Sequence, residues 1–150
     1  MRSFRAESRV AASRDTVWRH ATRPSDLDRE FRPFLRMTFP PEIADLAATF
    51  RPGERICRSW ILVFGLIPVE YDDLSFVELE PGRRFLERST MLTQRRWEHE
   101  RTLEEIDGRT RVVDRVEFES KVPLLEPIQA LVFRAVFAWR HYRLRRLFRD

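Results

Sequence analysis

The residues best suited to chemistry sit around one turn. Asp107-Gly108 is the strongest two-residue hairpin signal in the chain, because such turns need positive φ at their centre. If those two residues are the whole turn, Trp97 faces Phe118, His99 faces Val116, Arg101 faces Asp114 and Leu103 faces Val112. Side-chain alternation puts all eight on one face and leaves Glu100 with Arg115 and Glu104 with Arg111 on a solvated one. An apolar face thus carries an imidazole, a guanidinium and a carboxylate. One reading is structural, since a buried Arg is tolerable only when paired. The other is a mostly apolar pocket whose few polar groups orient a ligand. His99 or Asp114, beside Tyr71, would then also be able to act as a general acid or base. The register carries both readings, because a one-residue slip turns every side chain outward.

Other chemistries find little support. His20, His99 and His141 are far apart and none has a neighbour at metal-ligand spacing, while Cys57 stands alone. No metal site and no cofactor is therefore expected. No Gly-x-Ser-x-Gly occurs, and four scattered glycines make no phosphate loop. Cys57 reads as a small buried hydrophobe, and a single cysteine excludes an internal disulfide.

These groups need a scaffold. Phe4–Val10 reads as a strand, and Ser13 as the N-cap of a helix carrying Val17, Trp18 and Ala21. Pro24 ends that helix, and Ser25 or Asp26 can cap a second one towards Phe31. An extended piece covers Phe34 to Phe39. From Arg55 to about Ser120 the pattern is strand throughout, over 55–66, 69–80, 85–92, 95–106 and 109–119, with a bend at Gly65-Leu66-Ile67-Pro68. Pro127 suits the first turn of a final helix that runs to Phe148 without Gly or Pro. Leu124, Ile128, Leu131, Ala135, Ala138 and Tyr142 make one apolar stripe, and Phe133 with Phe137 belongs to another. A helix apolar on several sides needs several partners: a curved sheet, plus a cavity or a second protein surface.

The 150 residues fit one domain, 1–150, with 43% hydrophobic and 35% charged residues, too apolar for disorder. Every basic residue except Lys121 is arginine, giving a net charge of +4. The run Arg134, Arg140, His141, Arg143, Arg145, Arg146, Arg149 raises binding to an anionic membrane or nucleic acid. Cations at a helix C-terminus are stabilising by themselves, however, and no aromatic–basic interleave matches an RNA-binding motif. Nucleic acid is not expected; a peripheral membrane contact and a homodimer stay open. The opening residues lack a secretory apolar core, and the apolar stretch from Trp60 to Val69 is too short to span a bilayer. Cytoplasmic placement is the expectation.

Strand, two short helices, antiparallel strands and one long final helix together resemble the helix-grip fold. The segments Ser8-Arg9-Val10-Ala11-Ala12-Ser13-Arg14-Asp15-Thr16-Val17-Trp18, Gly65-Leu66-Ile67-Pro68-Val69, Glu80-Pro81-Gly82-Arg83-Arg84-Phe85 and Trp97-Glu98-His99-Glu100-Arg101 are similar to the SRPBCC ligand-binding superfamily. That superfamily includes START lipid-transfer domains, birch-pollen-allergen-like proteins and polyketide cyclases. The resemblance implies an α+β fold with a curved antiparallel sheet gripping the last helix and a hydrophobic cavity between them. Because members range from carriers to cyclases and dehydratases, it hands over no catalytic residue. The expected function is binding or carriage of a small hydrophobic or amphipathic molecule. Its expected contacts are Trp60, Tyr71, Trp97, His99, Arg101, Asp114, Val116, Phe118, Leu131 and Ala135. A cyclase- or dehydratase-like enzyme using His99 and Asp114 is the alternative.

Overall fold

Strand β1 (Arg2–Val10) opens the chain and turns Ser8 and Val10 inward. The computed structural model describes residues 2–149. Ser13 caps helix α1 (Arg14–Thr22), its Oγ accepting from the Thr16 N–H at 3.2 Å. Ser13→Ala is expected to cost about 1 kcal/mol, read as a lower urea midpoint at unchanged slope. The N-cap of helix α2 (Pro24–Arg29) is Arg23, so the expected caps Ser25 and Asp26 lie inside the helix. Pro24 occupies its first turn, where the fixed φ suits a helix and the missing N–H has no intrahelical acceptor. A short strand β2 (Leu35–Met37) and a 3-10 turn at Ala47–Thr49 follow.

Strands β3 (Arg55–Val63), β4 (Ile67–Glu80), β5 (Arg84–Met91), β6 (Gln94–Ile106) and β7 (Arg109–Ser120) complete one seven-stranded antiparallel sheet. Its order is β1-β7-β6-β5-β4-β3-β2. Asp107 (φ 52°) and Gly108 (φ 77°) make the tight turn that sets the β6–β7 register. The pairing is the expected one: Trp97 with Phe118, His99 with Val116, Arg101 with Asp114, Leu103 with Val112. On the opposite face Arg115 reaches Glu100 and Arg111 reaches Glu104, each at 3.4 Å.

Helix α3 (Glu126–Leu147) lies against the concave side of the sheet. Its inward stripe is Ala130, Phe133, Phe137, Arg140, His141 and Leu144, not the stripe through Leu131 and Ala135. Ring packing decides the rotation. Phe133 sits 5.0 Å from both Trp97 and Phe118, and Phe137 sits 5.3 Å from Phe4 and 5.1 Å from His99, centroid to centroid. Aromatic pairs at these distances bury more area than the alternative stripe of Leu and Ala can. Leu124, Ile128, Leu131 and Tyr142 are left exposed. The result is the α+β helix-grip architecture. No helix among the described residues is long and apolar enough to cross a membrane.

A candidate ligand cavity backed by a buried ion network

Between the sheet and α3 lies a cavity of about 620 Å³. The sheet contributes Leu74, Phe76, Phe85 and Trp97 to its wall, and α3 contributes Val132, Ala135, Val136 and Phe137. Polar side chains on the wall are few: Glu70, Asp72, Glu87, Thr93, His99, Gln129 and Arg140. The volume is that of an ordinary small-molecule site, and so is the mix of apolar wall and sparse polar groups.

Of the ten residues expected to contact a ligand, Trp97, His99 and Ala135 lie on this wall. Trp60 and Tyr71 do not. The pleat sends Glu70, Asp72, Leu74 and Phe76 inward, so Tyr71 points out, where its ring meets Trp60 at 5.3 Å and the Arg58 guanidinium covers it at 4.1 Å. Leu131 is on the solvent side of α3. Val116 and Phe118 are fully buried in the core beside Phe4 and Phe133, behind the wall. Arg101 and Asp114 are also behind it, in a cluster that the sequence showed only in part.

Arg101 is the centre of that cluster and is 1% exposed. Its Nε and Nη2 donate to the two Asp114 oxygens at 2.8 and 2.9 Å. Its Nη1 and Nη2 donate to both oxygens of Glu30, just past the end of α2, at 3.1 and 3.0 Å. Arg140 adds a third contact to Glu30 at 3.2 Å. Two guanidinium groups thus balance two carboxylates in a region almost closed to water. Burial alone would push Glu30 and Asp114 up. The Arg101 charge, joined by Arg140 at Glu30 and by His99 at Asp114, outweighs it and holds both well below the usual carboxylate range.

Three imidazoles complete the arrangement. His20 Nε2 meets Glu30 at 2.9 Å, while His99 Nε2 and His141 Nε2 meet Asp114 at 2.7 and 2.6 Å. An ionised carboxylate only accepts, so each Nε2 carries the proton. His141 Nδ1 faces Ser8 Oγ at 2.6 Å, and Arg145 donates to that same oxygen at 2.9 Å. Ser8–His141–Asp114 has the composition of a hydrolytic triad but not its setting. Ser8 is 4% exposed, off the cavity wall and under a guanidinium, which makes it a tie between β1 and α3. Arg143 likewise donates to the Arg29 carbonyl. Arg134, Arg146 and Arg149 remain on the exposed surface.

The wall has a second ionisable group of a different kind. Burial, then the neighbouring Glu87, raises Asp72 well above an ordinary aspartate. Glu87 stays ionised, because contacts from His99 and Asp72 overcome its own burial. The pair therefore shares one proton. An unfolded aspartate ionises near 3.9, so folding must retain a proton above that pH, at a cost that grows as pH rises towards the folded value. Asp72→Asn removes that cost. We expect the variant to melt higher than wild type at pH 7, with the gain vanishing by about pH 3. Cys57, close by, has its thiol pushed up to about 11, first by burial and then by Asp72.

Residues 8–148 match the family described as Domain of unknown function (DUF8410). The chain belongs to this family. No curated protein matches the sequence. Among solved structures, the DUF8410 chain is similar to CV1439 from Chromobacterium violaceum, at TM-score 0.76 and 14% identity over 100% of this chain and 99% of that one. It also resembles Ms6760 from Mycobacterium smegmatis, at TM-score 0.72 and 15% identity over 97% and 89% of the two chains. Similarity extends to the Zhui aromatase/cyclase from Streptomyces sp. R1128, at TM-score 0.64 and 17% identity over 95% and 90%. At such identities the likeness is one of fold: this DUF8410 domain has the helix-grip fold.

Proposed function

We propose that this DUF8410 domain binds a small hydrophobic or amphipathic molecule in the cavity under α3. The supporting observation is the cavity itself. Well-packed interiors leave few voids larger than a water molecule, whereas this one holds about 620 Å³ behind an apolar wall. Exposed Phe64, Val69, Ile128 and Val132 line it as well, which gives an apolar molecule a path from the surface. Native mass spectrometry of protein purified from cells tests the reading by looking for a co-purified apolar compound. N-phenyl-1-naphthylamine, a neutral apolar fluorophore, tests it directly. Fluorescence enhancement that saturates at one site per chain is expected; no enhancement, with no co-purified compound, overturns the reading. Ala135→Trp inserts an indole into the α3 side of the wall. It should weaken the fluorophore by about tenfold or more while leaving the melting temperature nearly unchanged, because position 135 is exposed and not packed on the sheet.

An enzymatic reading has one specific observation in its favour. His99 is on the wall, with Asp114 behind it and Glu87 3.7 Å from its other nitrogen. One fold relative is an aromatase/cyclase, and cyclisation with aromatisation needs acid and base groups in such a cavity. In that case His99 would touch the substrate, and Asp114 would act through His99. Turnover of a poly-β-keto substrate that is lost in His99→Gln while fluorophore binding persists would favour catalysis over carriage.

A further inference from the structure

The polar end of the cavity is rich in carboxyl groups and has no uncommitted cation among the described residues. Asp72 on β4 is 5% exposed and lines the wall, and its Oδ1 has no hydrogen-bond partner among the described residues. Buried polar atoms are nearly always paired, so an unpaired carboxyl oxygen on a side chain that lines a cavity marks a place where a donor is missing. Gln129 on α3, also on the wall, has an unpartnered Oε1 too. The nearest hydroxyl donors are already committed elsewhere. Ser89 Oγ donates to Glu87 at 2.7 Å, and Thr93 gives both its N–H and its hydroxyl to Glu70. Arg140 is the one guanidinium on the wall, and it is committed to Glu30, lying over the Phe31 and Phe137 rings at 4.6 and 4.7 Å. Glu70, Asp72 and Glu87 therefore bring three carboxyl groups to a wall whose cations are already paired.

That imbalance selects among head groups. A carboxylate or phosphate would meet carboxyl oxygens and no open cation. A hydroxyl would satisfy one acceptor but leave the charge uncompensated. An ammonium does both, since a charge-assisted N–H bond is roughly twice as strong as a neutral one. Resting on the cavity-binding reading above, we propose that the molecule held here is an amphipathic amine, its apolar body along the α3 wall and its ammonium donating to Asp72 Oδ1. Glu87 is the adjoining counter-charge. The amine enters already protonated, and the proton that Asp72 and Glu87 share is released to solvent as the ammonium takes its place.

Displacement of N-phenyl-1-naphthylamine by decylamine, decanol and decanoate at pH 7 tests the assignment. Decylamine should displace the fluorophore at concentrations about tenfold below decanol, a difference of about 1.4 kcal/mol, with decanoate weakest. Asp72→Asn, which keeps an acceptor but cannot become an anion, should collapse the preference for amine over alcohol. Calorimetry of decylamine in two buffers of different ionisation enthalpy should show proton release in wild type and none in Asp72→Asn. Decanoate binding as tightly as decylamine overturns the assignment, as does an amine preference that survives Asp72→Asn. Equal displacement by all three overturns it while leaving the cavity reading standing. If none of the three displaces a bound fluorophore, the assignment falls while the cavity reading stands; if the fluorophore does not bind and no apolar compound co-purifies, both fall.

Discussion

Arg101→Ala is expected to destabilise the fold by on the order of 3–5 kcal/mol, whereas Arg111→Ala should cost at most about 1 kcal/mol. Both residues are arginines on the same hairpin with two carboxylate partners each. Arg111 reaches Glu7 at 2.8 Å and Glu104 at 3.4 Å on a partly hydrated face, where water can replace a lost guanidinium. Arg101 has no such substitute. Its removal leaves Asp114 with imidazole donors only and Glu30 with Arg140 and His20, in a place almost closed to water. Urea denaturation measures both costs on one scale. Arg101→Met combined with Asp114→Leu should recover part of the loss by removing one stranded charge. Recovery stays incomplete, because Glu30 still misses two of its bonds. Equal, small costs for Arg101→Ala and Arg111→Ala would contradict a buried network.

Acid is expected to unfold the protein through the same carboxylates. Glu30 and Asp114 are held ionised in the fold well below the pH at which unfolded Glu and Asp take up protons, about 4.3 and 3.9. Their folded values are depressed, so the stability they contribute is fully present above those unfolded values. It is lost progressively as pH falls below about 4 towards the folded values. Asp72 works in the opposite sense, costing stability at neutral pH and nothing in acid. Glu30→Gln should lose on the order of 3–5 kcal/mol at pH 7, since it leaves Arg140 without a carboxylate and Arg101 with one fewer. It should also flatten the fall in melting temperature between pH 5 and pH 2. A wild-type melting temperature that is the same at pH 3 and pH 7 would contradict this account.

The part of the site that the sequence revealed is the part governed by local register. Asp107-Gly108 fixes the β6–β7 ladder within a few residues of the turn, and alternation then carries the pairing out to Trp97 and Phe118. His99, Arg101 and Asp114 follow from that arithmetic. Glu30 does not: its bonds to Arg101 span 71 positions and depend on how α2 docks under the sheet, which no periodicity encodes. Arg140 and His141 carried a weak signal, since they share one helical face with Phe133, Phe137 and Leu144. Cationic composition pulls the eye towards a surface reading of that run, and the buried acid that reverses it is on another element. Trp60 and Tyr71 mislead for a simpler reason. Large aromatic residues suggest a lining, yet the pleat set by Glu70, Asp72 and Leu74 turns them outward, where cross-strand stacking satisfies them. Two hydrophobic stripes on α3 were equally plausible from spacing alone, and the shapes of Trp97, Phe118 and Phe4 chose between them.

The ion network stands behind the cavity wall, and only His99 and Arg140 belong to both. What holds the elements together is thus almost separate from what a guest molecule touches. Substitutions at Leu27, Met37, Met91 or Val136 would reshape the pocket at a cost set by packing alone, without disturbing the charges that fasten α3 to the sheet. A chain built this way is suited to repurposing. Its cargo can be changed by redrawing the lining while the fastening stays in place, and the residues to leave alone in such a redesign are few and already known.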